Sequence, residues 1–179
     1  MGNGNRGNIM IIKNGLVFTP EGKFEKKDLY VEGEYVAKET TDNKEVEAEG
    51  CYVIPGLVDI HFHGCVRHDM CDGTEESIQA LADYEAANGV LAICPATMTI
   101  PEEELFQAMK AAKGHKNGKG ADLVGINMEG PFINKEKKGA QKEEDIKLAD
   151  VELFHKLQEA AGGCLLYTSD AADEARSVD

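Results

Sequence analysis

Pro55-Gly-Leu-Val-Asp-Ile-His-Phe-His63 is the stretch on which the fold turns. An apolar run, Leu57 to Ile60, starts directly after a Pro-Gly turn signal and ends in polar residues at His61 and His63. Side chains two apart on a strand point to the same face, so two imidazoles can converge on one cation. Imidazole suits Zn2+ and Fe2+. Taken alone, the pair leaves open a second reading, two histidines hydrogen-bonded near a strand end.

Outward from this strand, helical and apolar runs alternate. Residues 74–88 are helical, with Thr74 as N-cap and Glu75-Glu76 in the first turn. Residues 90–97 (VLAICPAT) form a continuous apolar strand, and residues 101–113 a second helix with proline first and three glutamates beside it. Residues 123–129 (LVGINME) are a third strand. Residues 150–161 are a third helix, closed by Gly162-Gly163. Buried strands alternating with helices signal a parallel α/β fold. A doubly wound sheet and a (β/α)8 barrel look alike at this length, and the polar residues decide between them. His61, His63, Thr97, Thr99 and Glu129 sit at or just past the C-terminal ends of successive strands. In barrels that face carries the active site. The expectation is α/β architecture, the first three βα units of a (β/α)8 barrel, which needs about 250 residues to close.

Upstream, residues 9–18 (IMIIKNGLVF) are rich in β-branched residues and are followed by a turn at Pro20-Glu-Gly. Residues 28–36, with Gly33 at a turn, and residues 46–54 carry further strand patterns. They predict a small antiparallel β unit, part of a β-sandwich domain. The expected organisation is a disordered lead-in over 1–8, the β domain over 9–54 and a partial barrel over 55–163. Residues 164–179 (CLLYTSDAADEARSVD) break with everything before them. They resemble the translation of a transposase-type sequencing adaptor and are set aside as a non-native tail.

The 179 residues carry a net charge of −14 with a pI near 4.8. That argues against a nucleic-acid footprint, which needs clustered Lys and Arg. No apolar run approaches the roughly 20 residues of a membrane-spanning helix, and the N-terminus has no signal-peptide pattern. A cytoplasmic protein handling small molecules is expected. The five cysteines form no CxxC pair and read as reduced, mostly buried thiols.

The run from Val53 to Gly64 resembles the amidohydrolase-superfamily signature, P-G-x-[IV]-D-x-H-x-H, placed after a small β domain. Met128-Glu-Gly-Pro-Phe-Ile-Asn134, followed by Lys137-Lys-Gly-Ala140, resembles the E-G-P-[FW]-x-N…K-K-G-[AT]-H motif of N-acetylglucosamine-6-phosphate deacetylases. The resemblance covers residues 9–163. It implies metal-dependent hydrolysis of the acetamide of N-acetylglucosamine 6-phosphate, giving glucosamine 6-phosphate and acetate. Metal ligands would be Glu129, His61 and His63, with Zn or Fe as the divalent ion and one or two ions bound. Glu129 would hold the principal metal and the two histidines a second. Ala140 and Gln141 would contact substrate. The general-base aspartate, two further histidines and the phosphate contacts are expected beyond Gly163, so no catalytic residue is assigned and the chain as written is expected to be inactive. The family implies a phosphorylated amino sugar as small-molecule partner and a homodimer. A dihydroorotase-like cyclic amidase and a non-catalytic half-barrel are the alternatives. The E-G-P strand argues against the first, because those enzymes typically bridge their metals with a lysine there.

The sequence departs from the family at two positions. Gln141 stands where many members have a histidine, and Arg67 stands where a glycine is common. His68 and Asp69 are expected in a solvated loop, His115 and His155 on helix surfaces, and Cys94 and Met98 in barrel packing. The Lys135–Lys138 cluster reads equally as a phosphate attractor and as a solvated charge run.

Overall fold

The computed structural model describes residues 10–33, 35–40 and 44–168. The expected lead-in and the tail beyond Thr168 lie outside these residues. The chain divides into two units, Met1–Pro55 and Gly56–Asp179.

In the first unit, β1 (Met10–Phe18), β2 (Phe24–Glu32), β3 (Tyr35–Ala37), β4 (Glu45–Glu47) and β5 (Tyr52–Val53) form one sheet in the order β3-β2-β1-β4, with β5 also on β1. β1 runs antiparallel to β2, and β2 to β3, but β4 and β5 both lie parallel to β1. The sheet is therefore mixed, where the sequence predicted antiparallel pairing. A turn closed by the Cys51 N–H donating to the Ala48 carbonyl splits residues 46–54 into two short strands. A bulge interrupts β1 between Ile12 and Gly15. Asn14 occupies it at φ 62°, a conformation asparagine tolerates better than most residues. Its N–H donates to Asp28 Oδ1 (2.9 Å) and its amide to the Glu47 carboxylate (3.0 Å).

In the second unit the chain passes from β6 (Leu57–Asp59) through the hairpin β7 (Gly64–Cys65) and β8 (His68–Asp69) to α1 (Glu75–Ala87) and β9 (Val90–Ile93). It continues through α2 (Glu102–Gly114), β10 (Asp122–Leu123) and β11 (Ile126–Met128) to α3 (Val151–Ala160) and β12 (Leu165–Thr168). β6 pairs in parallel with β9, and β9 with β10. A parallel bridge between Ala96 and Asn127 carries the pairing on to β11, which pairs in parallel with β12. Successive strands are thus spatial neighbours in chain order, without the reversal that marks a doubly wound sheet.

Three strands are shorter than the sequence suggested. Asp59 Oδ1 accepts the His61 N–H at 3.0 Å, removing that amide from the ladder where β6 ends. Pro95, which has no N–H to give, follows β9. Gly125, packed against Leu166, separates β10 from β11. One strand is additional. Leu165–Thr168, set aside from the sequence as tail, lies beside β11, with the Ile126 N–H donating to the Cys164 carbonyl (2.8 Å). The Gln158 side chain on α3 clamps it, accepting from Leu165 N–H (2.9 Å) and donating to the Leu165 carbonyl (3.2 Å).

The helices form where capping predicted. Thr74 accepts from Ser77 N–H and Asp150 from Leu153 N–H. Pro101 takes the N-cap position of α2 instead of its first turn, so the helix begins one residue later than expected. Leu105, Met109, Ile126, Met128 and Leu157 are fully buried in one cluster between α2, α3 and the strands. Each such side chain contributes about 1.5–3 kcal/mol. Among the described residues no helix is long and apolar enough to cross a membrane. Val58, Leu91 and Leu166, all on strands, remain more than half exposed.

Candidate metal centre

His61 and His63 follow the end of β6, and Glu129 follows the end of β11. The three converge. Glu129 Oε2 lies 3.3 Å from His61 Nε2 and 3.1 Å from His63 Nε2, and the imidazoles stand nearly perpendicular, with centroids 5.2 Å apart. One donor atom from each residue falls within 4.8 Å of the others. Donor atoms about 2.0–2.1 Å from a shared tetrahedral cation lie about 3.3 Å from one another. The two Nε2–Oε2 separations match that edge, so the donor set fits a divalent ion of Zn or Fe type. Among the described residues this is the one cluster of three or more His, Cys, Asp or Glu ligand atoms so arranged. The carboxylate expected to hold the principal metal thus lies beside the two histidines expected to hold a second.

Two carboxamides hold the cluster. Asn127 Nδ2 sits 3.0 Å from His61 Nδ1 and donates to the Ile60 carbonyl (3.2 Å). Gln141 Nε2 donates to Glu129 Oε1 (2.7 Å), and Gln141 Oε1 accepts the Thr99 N–H (2.6 Å). Gln141 is buried while its neighbour Ala140 is exposed. The hydroxyls of Thr97 and Thr99 and His63 Nδ1 are buried without hydrogen-bond partners. Gly130 turns the chain away behind Glu129 at φ 75°, and a Cβ there would collide with the Thr99 hydroxyl.

The remaining sequence candidates lie elsewhere. His68 Nδ1 is 3.0 Å from Ser77 Oγ, which donates to Asp72 Oδ2 (2.8 Å) and accepts from the Thr74 hydroxyl (2.9 Å). Asp69 caps a single 3-10 turn over Met70–Asp72 through the Cys71 N–H. These residues tie the hairpin to the start of α1 rather than standing in a solvated loop. Lys138 Nζ donates to the Gln141 carbonyl (3.2 Å), while Lys135 and Lys137 are exposed on a 3-10 turn. Cys94 is buried as expected, and His115 and His155 lie away from the cluster, at the end of α2 and on α3. Sequence reasoning did not single out Asn127, although its two-residue spacing from Glu129 was a usable signal.

The fold and site together define an α/β protein with a His-His-carboxylate cluster at its strand ends. No protein-family model matches the chain. Its similarity to curated proteins is nonetheless extensive. It is 32% identical over 170 residues to the N-acetylglucosamine-6-phosphate deacetylase of Bacillus subtilis (strain 168), covering 92% of this chain and 41% of that protein. It is 26% identical over 160 residues to the enzyme of the same name from Lysinibacillus sphaericus, covering 86% of this chain and 41% of that protein. The crystal structure of N-acetylglucosamine-6-phosphate deacetylase from Pasteurella multocida superimposes with a TM-score of 0.79 at 19% identity, over 90% of this chain and 44% of that one, and so shares its fold. The chain is a homologue of N-acetylglucosamine-6-phosphate deacetylases, which are hydrolases, and it spans about two fifths of the length of the curated relatives it matches.

Proposed function

We propose that this chain supplies the first part of a cytoplasmic, metal-dependent deacetylase. Its substrate is N-acetylglucosamine 6-phosphate, and its products are glucosamine 6-phosphate and acetate. The observation that carries the reading is the convergence of His61, His63 and Glu129 on one point at the strand ends. The relatives' names support the substrate. The chain-order parallel strands support the first part of a (β/α)8 barrel, and the exposed strand residues Val58, Leu91 and Leu166 suit a face covered by further strands.

His61, His63 and Glu129 would hold divalent metal, Zn2+ or Fe2+, as one or two ions. When bound, a divalent cation supplies Lewis acidity, polarising the amide carbonyl and making water a nucleophile near neutral pH. The protein's part is to keep the ligands oriented before the ion arrives. Asn127 fixes the ring of His61 against the Ile60 carbonyl, and Gln141 fixes the carboxylate of Glu129. The cluster's one carboxylate, Glu129, would thereby be committed to ligation, and proton transfer to the leaving amine would fall to an aspartate expected beyond Gly163.

The test has two arms. The 179-residue chain should bind zinc and release no acetate from N-acetylglucosamine 6-phosphate. The product of the complete gene should release acetate, and Glu129→Gln should lower its kcat/KM at least about 100-fold, the scale of losing a ligand or its orientation. Turnover that persists without any divalent ion, or a Glu129→Gln enzyme as active as wild type, would overturn the reading.

A further inference from the structure

Asn-Gly occurs four times in the sequence, at 3–4, 14–15, 88–89 and 117–118, and the last three lie among the described residues. In such a pair the glycine nitrogen can attack the asparagine side-chain carbonyl carbon, because no Cβ shields it and the chain turns freely there. Folding treats the three pairs differently. Gly15 is buried in the β1–β2 ladder opposite Lys27, and Val53 Cγ2 sits 2.5 Å from where its Cβ would stand. The Gly89 N–H is committed to the Ala86 carbonyl (3.1 Å), and the Gly89 carbonyl accepts the Leu57 N–H (3.1 Å). Gly118 is exposed at φ 135°, and a Cβ there would meet nothing within 4 Å. Its N–H has no hydrogen-bond partner among the described residues.

The asparagine side chains differ as well. Each amide nitrogen donates, from Asn14 to Glu47 (3.0 Å), from Asn88 to the Tyr84 carbonyl (2.8 Å) and from Asn117 to the Leu123 carbonyl (3.2 Å). Of the three, Asn117 alone also accepts at its amide oxygen among the described residues, from the Leu123 N–H at 2.9 Å. An N–H held there polarises the carbonyl and stabilises the negative charge that builds on its oxygen during attack.

We infer that Asn117 is a self-modification site, at which the folded chain converts its own amide to an acid. The Gly118 nitrogen bonds to Cγ of Asn117, the Cγ–Nδ2 bond breaks, and Nδ2 leaves as ammonia with the proton that Gly118 gives up. Water then opens the cyclic imide at either carbonyl, leaving an aspartyl or an isoaspartyl residue. The chain gains a negative charge, and the Leu123 carbonyl faces an oxygen where it had a donor. Leu123 pairs with Ile93, so the change falls on the β9–β10 ladder. No residue of the metal cluster takes part, and the inference stands apart from the metal reading.

The experiment is storage of the 179-residue chain at mildly alkaline pH, folded and in urea, followed by charge separation and peptide mapping that resolves each Asn-Gly pair. In the folded chain Asn117 should convert about tenfold faster than Asn14 or Asn88, a barrier difference of about 1.4 kcal/mol. In urea the three should converge, because the fold makes the difference. Conversion at Asn14 or Asn88 as fast as at Asn117, or a folded chain in which Asn117 stays intact, would overturn the inference. A preference that persists in urea would assign it to local sequence and overturn it too. Asn117→Asp reproduces one product and should lower the urea midpoint. An unchanged midpoint would overturn the consequence drawn for β10.

Discussion

Asn127 Nδ2 lies 3.0 Å from Nδ1 of His61 while the same amide nitrogen donates to the carbonyl of Ile60, the residue before that histidine. In this arrangement a neutral His61 accepts at Nδ1 and carries its proton on Nε2, the atom that faces Glu129. Ligation through Nε2 needs that atom's lone pair, so a bound cation would require the proton on Nδ1 and the Asn127 amide turned to offer its oxygen. The orientation of the Asn127 amide would then differ between the free and the ligating His61.

The first prediction follows from that contact. Asn127→Ala should weaken zinc binding about tenfold, the lower end of the range for outer-shell partners. The variant should also bring its bound His61 to a less uniform ring orientation. Chelator competition gives the affinity, and imidazole 15N shifts report the tautomer. An unchanged affinity together with an unchanged tautomer on loading would remove the role given to Asn127.

A second prediction concerns the hairpin between β7 and β8. Val66 and Arg67 occupy its two-residue turn at φ 45° and φ 68°. Such turns favour Asn-Gly because both central residues are left-handed, and a β-branched valine is poorly suited to either place. The Arg67 departure noted in the sequence is therefore a matter of backbone strain. The double substitution Val66→Asn, Arg67→Gly should stabilise the chain by about 1 kcal/mol, seen as a rise of roughly 2–4 °C in the thermal midpoint. No rise, or a fall, would count against the strain.

The third prediction is one of pH. Burial pushes the Cys71 thiol up to about 12 and the Cys94 thiol up to about 11. In the unfolded chain a thiol loses its proton near about 8.5. Above that pH the unfolded state releases protons that the folded state keeps, so raising the pH favours unfolding. The contribution is complete below about 8.5 and is lost as pH climbs toward the folded values. Urea midpoints should fall between pH 9 and 11, and Cys71→Ala should flatten the fall. At pH 8 the exposed Cys51 should react with thiol reagents well before Cys71. A midpoint independent of pH over this range would contradict the prediction.

Much of the site was legible in the sequence because it depends on spacing. The two-residue period placed His61 beside His63, and the strand-end position of the E-G-P motif placed Glu129 on the same rim. The same period would have placed Asn127 beside Glu129, but an asparagine inside an apolar strand carries no chemistry until its partner is known. Gln141 could be located but not oriented, since its partner Thr99 is 42 residues away. Strand lengths were overestimated where side chains compete for the backbone, as at Asp59, or where glycine weakens pairing, as at Gly125. The parallel placement of β4 and β5 depends on how the chain crosses the sheet, which alternation alone does not encode. Leu165–Thr168 was set aside on its resemblance to foreign sequence. Strand pairing responds to what a segment can bury and bond, whatever its origin.

The tie between His61 and His63 also shapes how the site can change under mutation. A base change at either codon removes one imidazole and leaves the other in place. Gain or loss of a single codon between Leu57 and His61 turns both away together, because every side chain downstream swaps faces. Ile60, half exposed between β6 and the first histidine, can drift in chemistry with little effect on the rim. What inheritance must keep constant in this stretch is its length.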